Sequence, residues 1–546
     1  MLRSQQTARM PEMQIPLYPA PVSSLNDTVL GYPALSEEAM GWMAYMHRKI
    51  GLDGTWAKGG KPHEAWDNVS GAPVQNLYRY DLTYGSFAIA MMAELTPAWR
   101  EGYSKILSFL VDRYFEYWAF CDWVEEKGQD PNRLDYPDAM YKNLMPEGYA
   151  GRYSKPGWAA NGIGPYGYNP DPVYGNGMAN IMYKGYLNLS IGLYEYVSGD
   201  AKYDSPFQIV YDDQLQFEYD HKRLVDTLTK QWVANPIGIA CEVRKIFLWC
   251  NNLSGLSMKL YDVLHGTSLY WTFQQCHNAM KPLHVGGPAK GPAEWVSFYH
   301  DPDINSNLNR EANQLASNWF SVCWLGYPFD SETYRRVYEG GLVHFLTRQP
   351  DGSAFMSGLP RSGVDDIGAT CKAIACAREL GDEETYAALR KWADAKYQPI
   401  YDPQRGEFFH LFGLNERFPR GQHNDWIMPG YAANGAHTWS KIFNQPNLKK
   451  FQEPTLVDVD YPLVRVRQAY YDPLQRTLNV AICTTDASAL GQETTFRVTN
   501  LAAGARYRVV MDGEEYSNWS MRDGALEIRT TVGTHSLIVQ HAGSTN

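Results

Sequence analysis

The most informative part of the sequence lies between Asn180 and Thr267. Its key segments read NIMYKGYLNL (180–189), ANPIGIACE (234–242), WCNN (249–252) and LYDVLHGT (260–267). Two cysteines, Cys241 and Cys250, stand nine positions apart at the edges of apolar runs, where helix starts are predicted. A helix N-terminus lowers the pKa of a thiol and makes it a usable acid or base. The alternative is that each is a buried cysteine that only packs.

Helical patterns extend from this stretch in both directions. Ser36 reads as an N-cap followed by acidic residues, and Gly199 as the C-cap of a helix over 178–197. Close to a dozen such segments are predicted, with no open-solenoid period, and this favours a closed (α/α)6 barrel, or helical toroid. The other predicted helices include 78–95, 99–124, 224–232, 253–264, 268–280, 311–325, 331–346, 368–380, 382–395 and 430–443.

The residue pattern of the sequence changes near position 453. Short, alternating segments rich in Val, Ile and Thr follow, separated by turn residues, and they predict a small antiparallel β-sandwich. The predicted strands are 478–483, 495–499, 507–511, 526–530 and 536–540. We therefore expect an extended N-terminal arm (1–33), a barrel-shaped catalytic domain (34–452) and a β-sandwich domain (453–546).

Charge and composition exclude several function classes. A net charge of −11 argues against nucleic acid and anionic membranes as partners. No apolar run approaches the ~18 to 20 residues of a membrane span, and the N-terminus has no signal-peptide core. The eight cysteines form no CxxC pair, so neither structural zinc nor a disulfide framework is expected. We predict reduced thiols, a cytoplasmic location, and no metal or cofactor; His300, Asp301 and Asp303 give only a faint metal-site pattern, His-x-x-Asp.

The aromatic content of 14% is unusually high and has two interpretations. It is typical of a concave surface that stacks on sugars or shields positive charge, and equally of a helical core filled with aromatic rings. No nucleotide-binding or serine-hydrolase motif occurs in a supporting context.

Other candidate residues lie outside the central stretch. Tyr80 and Tyr186 are phenols that would donate protons or hydrogen bonds, although a buried tyrosine commonly just donates to a backbone carbonyl. Asp53 and His63 adjoin a glycine-rich loop and would form an acid–base pair, with a solvated loop as the alternative.

A second group of candidates lies near the end of the predicted barrel. His423 and Trp426 follow a phenylalanine cluster that includes Phe409, and together they predict a pocket wall. Asp365 and Asp366 precede a predicted helix and read most simply as N-caps, with paired-carboxylate glycoside chemistry as the alternative.

Several segments together resemble the linalool dehydratase-isomerase family. The strongest are residues 180–185, 234–236, 238–242, 250–251 and 261–267, and the spacing between the two cysteines also agrees. Weaker similarities occur at 44–46, 64–66, 79–80 and 377–382. The resemblance covers roughly residues 38 to 445 and is strong over 178–267, so the predicted β-sandwich lies outside it.

The resemblance implies an (α/α)6 barrel and cofactor-free acid–base chemistry on a small isoprenoid alcohol. Cys241 and Cys250 match the family cysteines proposed to carry protons, and Tyr80 and Met182 match pocket positions. Tyr183 and Glu242, which adjoin Met182 and Cys241, complete the predicted substrate-binding residues.

The sequence also departs from the family pattern. The family's catalytic histidine is Tyr186 here, and its third active-site cysteine, just before residue 64, has no counterpart. The family's aspartate matches only Asp53, and only through a gap.

The predicted function is a cofactor-independent lyase or isomerase acting on a hydrophobic, terpenoid-like alcohol or alkene, with a cyclase as a close variant. The alternative is a carbohydrate-active hydrolase or polysaccharide lyase, because helical toroids followed by β-sandwiches occur among such enzymes. A non-catalytic binding protein is a third interpretation. The expected partner is a small hydrophobic substrate, and homo-oligomerisation is left open.

Overall fold

The computed structural model describes most of the chain, with gaps at both termini and in several internal stretches. The described residues are 31–52, 63, 65–66, 78–116, 163–164, 167–168, 171–174, 180–210, 213–214, 216–241, 245–302, 305–308, 314–413, 421–433 and 435–544. The predicted site residues Asp53 and Glu242 lie outside this set, as does most of the predicted arm.

Thirteen α-helices occur among the described residues. The first seven are α1 (Glu37–Ile50), α2 (Tyr78–Leu95), α3 (Glu101–Tyr114), α4 (Ile181–Ser198), α5 (His221–Ala234), α6 (Leu248–His265) and α7 (Tyr270–His284). The remaining six are α8 (Ala316–Gly326), α9 (Ser331–Phe345), α10 (Ile367–Leu380), α11 (Glu383–Lys396), α12 (Gly421–Ala432) and α13 (Thr438–Asn444). No helix in these described stretches combines the length and the apolar composition needed to cross a membrane.

Local capping explains where several of these helices begin. The Ser36 side chain accepts from the Ala39 N–H at 3.1 Å, with two acidic residues in the first turn of α1. Asp366 caps α10 and Asp382 caps α11 in the same way. Each cap satisfies a backbone donor that has no partner within its helix, and such a cap typically stabilises a helix by about 1 kcal/mol.

Helices α4 and α6 form the centre of the fold and run parallel to each other. Every residue from Ile181 to Val197 is buried, so α4 is covered on all sides. Gly185 lies against Ser254, and Gly192 lies against Leu260. The residue numbers of the contacting pairs increase in the same direction along both helices. A Cβ at position 185 would lie 1.6 Å from Ser254 Oγ, so only glycine permits this approach. The N-termini of α4 and α6 therefore lie at the same end.

The C-terminal part of the described chain is built from two antiparallel sheets. The strands of these two sheets are β13 Thr455–Val457, β14 Arg465–Asp472, β15 Thr477–Cys483, β16 Glu493–Thr499, β17 Ala505–Met511, β18 Glu514–Glu515, β19 Trp519–Arg522, β20 Ala525–Thr531 and β21 His535–Ser544. One sheet has the strand order β13-β16-β20-β19, and the other has the order β14-β15-β21-β17-β18. Residues alternate between buried and exposed along β16, as expected where one face of a sheet packs on a core.

Six further sheets have two antiparallel strands each and lie between the helices. Their strands are β1 Ile163–Gly164, β2 Gly167–Tyr168, β3 Phe207–Val210, β4 Gln216–Tyr219, β5 Val285–Gly286, β6 Trp295–Val296, β7 Tyr299–Asp301, β8 Ser306–Leu308, β9 Leu346–Arg348, β10 Ala354–Met356, β11 Pro399–Asp402 and β12 Glu407–His410. The predicted mainly helical architecture with small antiparallel sheets is thus confirmed.

The C-terminal sheets join the helices through backbone and charged contacts. Leu456 donates its N–H to the Ala98 carbonyl at 2.7 Å, and Ala98 donates to Ala469 at 3.2 Å. Buried Lys450 lies 3.4 Å from the Glu94 carboxylate and 3.5 Å from the centre of the Tyr196 ring. The sheets therefore pack against α1 and α2 through β14, and Lys450, just before β13, contacts α2 and α4.

Two predicted helices are wrong in extent. The helix predicted over 99–124 ends at Tyr114, because Phe115 and Glu116 pair with Val210 instead. The helix predicted over 430–443 is two helices, α12 and α13, separated by residues 433–437. The buried Glu379 carboxylate accepts from the N–H groups of Trp439 and Ser440 and so caps a new helix start. Strand β14 was not predicted at all.

Candidate functional site

The two thiols of the central stretch meet in the interior. The Sγ atoms of Cys241 and Cys250 are 3.8 Å apart, and both residues are buried. Cys250 is the third residue of α6, so the predicted helix start at this cysteine is confirmed. Cys250 therefore lies near the backbone N–H groups that begin α6 and carry partial positive charge.

Cys241 is not at a helix start, which corrects the prediction for this residue. It lies in the connection between α5 and α6, seven positions before Leu248. Its N–H donates to the Lys245 carbonyl at 2.8 Å, and its own carbonyl accepts from the Asn180 N–H at 2.9 Å. The backbone of Cys241 thus fixes the first residues of α4, and its side chain is left to contact Cys250.

The side chain of Asn251 holds this connection in place. Its Oδ1 accepts from the Ile239 N–H at 3.0 Å and from the Trp232 indole at 3.2 Å, while its Nδ2 donates to the Ile239 carbonyl. Gly238 turns the chain with φ +115°, and a Cβ there would lie 2.6 Å from Ile246. The contact between the two thiols therefore depends on the hydrogen bonds of the Asn251 side chain and on the turn at Gly238.

Two tyrosines extend the thiol pair into a row of four polar groups. The Tyr186 hydroxyl lies 3.9 Å from Cys250 Sγ, and the Tyr84 hydroxyl lies 3.1 Å from that of Tyr186. Burial, reinforced by neighbouring acidic groups, raises the pKa of both phenols well above 10. Both hydroxyls therefore stay protonated at neutral pH and act as donors. We call Tyr84, Tyr186, Cys250 and Cys241 the thiol–phenol row.

Aromatic rings surround this row. Tyr80 stacks on Tyr84 with ring centres 5.5 Å apart and on Trp249 at 6.3 Å. Trp426, predicted as a pocket wall, lies 5.0 Å from Tyr84. The row is thus enclosed by π-systems, which favour a cation or an apolar guest over water.

Other predicted residues lie in different surroundings. Tyr183 turns away from the thiols: its hydroxyl donates to the Tyr114 carbonyl at 2.7 Å and its ring packs on that of Tyr114. Met182 is buried one helical turn before Tyr186. The ring of Phe409 packs 5.0 Å from that of Tyr45, beside α1.

The two predicted histidines also lie in other surroundings. The Nδ1 of half-buried His63 accepts from the Ala65 N–H at 3.1 Å. The His423 ring contacts Phe412 at 5.2 Å, one turn before Trp426 on α12.

The carboxylates and the faint metal pattern noted in the sequence have structural partners. Asp365 accepts from the Trp392 indole, the Tyr397 hydroxyl and the Thr370 hydroxyl. Asp366 caps α10, as predicted. His300 Nδ1 lies 2.6 Å from Asn307 Oδ1 across the β7–β8 pair.

Sequence reasoning missed Tyr84, Trp249 and a buried ion pair beside them. Tyr84 follows Tyr80 by four positions, and residues with this spacing lie on the same face of a helix, so the sequence could have indicated it. Trp249 immediately precedes Cys250. The ion pair joins Lys49 to Asp81 at 2.7 Å with both side chains fully buried, and it had no local sequence signal.

A surface groove of about 380 Å³ lies elsewhere. It is lined by Tyr327, Pro328, Phe329, Ser331, His437, Ser440, Lys441, Asn444 and Gln445. None of these residues contacts the thiol–phenol row, so we do not assign the groove to its chemistry.

Several solved structures are similar to this chain at low identity. An unsaturated glucuronyl hydrolase from Bacillus sp. GL1 has 12% identity, covering 74% of this chain and 95% of that one, with a TM-score of 0.39. A GH76A α-1,6-mannanase from Salegentibacter sp. HEL1_6 has 11% identity, coverage of 72% and 98%, and a TM-score of 0.38. Endoglucanase CelQ from Clostridium thermocellum has 9% identity, coverage of 93% for both chains, and a TM-score of 0.35.

Structural similarity at such low sequence identity and TM-score does not assign an activity to this chain. A family comparison is more specific, because it matches the segment that carries both thiols, Tyr186 and the helices that hold them. The resemblance inferred from the sequence is confirmed for this segment: residues 163–409 match the family described as linalool dehydratase/isomerase.

Proposed function

We propose that this protein is a cofactor-independent lyase or isomerase that acts by acid–base chemistry on a small hydrophobic allylic alcohol. The observation that carries the proposal is the buried thiol–phenol row, with its 3.8 Å, 3.9 Å and 3.1 Å contacts inside an aromatic enclosure. The match to the linalool dehydratase/isomerase family over residues 163–409 supports the same reaction class.

Dehydration of an allylic alcohol needs one proton donor and one proton acceptor. The donor protonates the hydroxyl oxygen, and the C–O bond breaks with its electron pair leaving on water. The acceptor removes a proton from the neighbouring carbon, and that C–H pair becomes the new π bond. The sum is alcohol to alkene plus water, with no redox change. In isomerisation, water instead adds to the other end of the allyl cation before any C–H bond breaks, and the acceptor takes the extra proton from the newly bound oxygen.

The thiols are the groups best suited to share these roles. We assign the base role to Cys250, because it lies in the first turn of α6 and 3.9 Å from the Tyr186 hydroxyl, which can donate a hydrogen bond to its sulfur. Cys241, at 3.8 Å, then supplies or returns the proton as the neutral thiol. One proton shared between two adjacent sulfur atoms also avoids burying two negative charges together.

Tyr186 replaces the family histidine with a group of different chemistry. An imidazole titrates near neutral pH, whereas the pKa of this buried phenol lies well above 10. Tyr186 would therefore donate a hydrogen bond to the thiolate or to the leaving oxygen and would not serve as base. The substitution places the base role on sulfur.

The wider architecture fits this proposal. We assign the helices to an (α/α)6 barrel (34–452) whose aromatic lining excludes water and stabilises positive charge, and the C-terminal sheets to a β-sandwich domain (453–546). The chemistry needs thiols that are not oxidised to disulfides, and the seven cysteines in the described part of the chain form no disulfide bond. A reducing, cytoplasmic setting is therefore part of the proposal.

The carbohydrate-active alternative needs two carboxylates facing a cleft. Of the pair singled out in the sequence, Asp365 accepts from three side chains and Asp366 caps a helix. Both already have structural tasks. No specific observation favours this alternative over the thiol site.

The decisive experiment compares wild type with Cys241→Ser and Cys250→Ser on linalool, geraniol and longer terpenoid alcohols in deuterated water. We expect alkene products and deuterium incorporation from wild type, detected by mass spectrometry. Each substitution should lower turnover by about 10² to 10⁴, the usual contribution of a positioned acid or base.

The matched control is Cys483→Ser, which changes a buried thiol in β15 of the C-terminal sheets. It should keep wild-type turnover. Turnover that survives both site substitutions would refute the role of the thiols, and a wild type inert on every alcohol would refute the substrate class.

A further inference from the structure

A cluster of metal-ligating side chains lies at the opposite ends of α4 and α6 from the thiols. It consists of Glu195, Asp204, His221 and His265. Glu195 is near the end of α4, His221 is the first residue of α5, and His265 is the last residue of α6. Asp204 closes a short 3-10 turn, Lys202–Asp204. Four separate elements thus deliver one side chain each.

The distances within this cluster are close to those of a four-coordinate metal site. Glu195 Oε2 lies 3.4 Å from His221 Nδ1 and 3.2 Å from His265 Nε2. Asp204 oxygens lie 3.8 Å from His221 Nδ1 and 3.9 Å from His265 Nδ1. One ligand atom from each of the four residues fits within 4.8 Å of all the others.

Zinc coordination sets the spacing that such a cluster must reach. Zn–N and Zn–O bonds of about 2.0 to 2.2 Å place tetrahedral ligands roughly 3.3 to 3.6 Å apart. The four measured separations, 3.2 to 3.9 Å, bracket this range, although Glu195 faces Nε2 of His265 and Asp204 faces Nδ1. An ion would therefore have to draw one ligand atom from each residue inward from a spread of up to 4.8 Å. Asp204 is about half exposed and is the ligand most able to adjust.

His221 is an independent indication of a ligand. Its side chain is fully buried, yet neither ring nitrogen has a hydrogen-bond partner of good geometry among the described residues. Buried imidazole nitrogens are normally satisfied, so an unpartnered one aimed at two carboxylates calls for an explanation.

The surroundings hold both imidazoles in place. The Tyr261 ring stacks on His265 with centres 4.1 Å apart and meets His221 edge-on at 4.8 Å. Asp220, the N-cap of α5, accepts from the backbone N–H of Arg223 at 2.7 Å. Its carboxylate therefore caps the helix and is not part of the cluster. The two rings are therefore oriented before any ion arrives.

We propose that Glu195, Asp204, His221 and His265 bind one Zn²⁺ as a structural site that fastens α4, α5 and α6 together. Two imidazoles with two carboxylates are a ligand set that zinc accepts, and imidazole selects zinc over magnesium or calcium. Four protein ligands leave no open position, so the site would stabilise the fold and take no part in the reaction. This site was not predicted from the sequence, because the four residues share no short motif.

The test uses the full chain, stripped of metal with a chelator and titrated with Zn²⁺ and separately with Co²⁺. Wild type should retain one zinc per chain after gel filtration, measured by inductively coupled plasma mass spectrometry. His221→Ala and Asp204→Asn should each weaken zinc binding by more than about 10-fold, since even an outer-shell partner contributes that much.

The matched control is His535→Asn, which removes a histidine that is 2.7 Å from a single carboxylate, Asp512, in the C-terminal sheets. It should leave the zinc stoichiometry and affinity unchanged. Because Asp204 is partly exposed, Asp204→Asn should fold even where His221→Ala does not.

The cobalt spectrum of wild type provides a readout that needs no variant. Intense visible absorption would identify the four-coordinate site, and the weak spectrum of a six-coordinate ion would overturn it. Wild type that retains no zinc, or variants that bind zinc as tightly as wild type, would also overturn the proposal.

Discussion

The two ends of the α4–α6 pair differ in every chemical respect. The N-terminal end brings together neutral sulfur and phenol groups among aromatic rings. The C-terminal end brings together two carboxylates and two imidazoles, partly open to solvent. Along α4, Tyr186 and Glu195 are about 13 Å apart at 1.5 Å per residue. One rigid helix pair thus keeps an apolar site and a charged site separate.

The comparison shows how two parallel helices create different electrostatic environments at their two ends. Both N-termini, with their partial positive charge, meet at the thiol end. Both C-termini meet at the other end, where imidazoles and a cation are favoured. The polarity of the pair therefore places the positive ends of two helix dipoles at one site and the negative ends at the other.

The largest effect should come from Tyr186→Phe at the thiol end. Removing the hydroxyl that lies 3.9 Å from Cys250 should reduce turnover of an accepted alcohol by about 10² to 10⁴. Tyr183→Phe, three residues earlier on the same helix, removes a hydroxyl bonded to a backbone carbonyl. It should lower stability by about 1 kcal/mol and leave turnover near wild type. Equal loss of turnover in both variants would contradict the assigned roles.

The next largest effect should come from forcing α4 and α6 apart. Gly185→Ala places a Cβ 1.6 Å from Ser254 Oγ, and overpacking of this kind typically destabilises by about 1 to 3 kcal/mol. Chemical denaturation would measure the change. The control is Gly368→Ala, where a Cβ meets nothing closer than 3.4 Å and should be nearly neutral. Unchanged stability of Gly185→Ala would mean that the helices do not approach so closely.

Metal removal should affect only the C-terminal end. Zinc at 100 times its dissociation constant should raise the unfolding free energy by about 2.7 kcal/mol, and a chelator should reverse this. Turnover at the thiol end should not change over the same titration, because the helices separate the two sites. Loss of turnover in parallel with metal, while the protein stays folded, would show that the ends are coupled.

A further effect concerns a lysine buried near the thiol end. Lys184 Nζ donates to the Val173 carbonyl at 2.9 Å, and burial lowers its pKa to about 7. The unfolded chain then binds more protons than the folded one between about pH 7 and 10.5, so stability should rise with pH, by about 3 kcal/mol between pH 7 and pH 9.5. Lys184→Met should remove that rise. Denaturation of both variants at pH 7 and pH 9.5 would measure it, and parallel curves would contradict the assignment.

The sequence predicted much of the helical scaffold and part of the candidate site. The helix predicted over 178–197 is observed as Ile181–Ser198, because an N-cap and a C-terminal glycine mark its ends locally. The strand predicted over 478–483 is observed as Thr477–Cys483. Predictions failed where distant groups intervened: the β-bridge of Glu116 to Val210 ends α3, and Glu379 starts α13.

The sequence by itself determined which segments are helices, which are strands and which residue types are present for chemistry. These properties rest on apolar periodicity and capping, which act over a few residues. Only the tertiary structure decided that Tyr84 joins Tyr186, that Cys241 reaches Cys250 from a loop, and that Glu195 meets His265 seventy positions away. The reason is physical: such contacts depend on helix direction and close packing, here set by Gly185 against Ser254, and no local pattern encodes them.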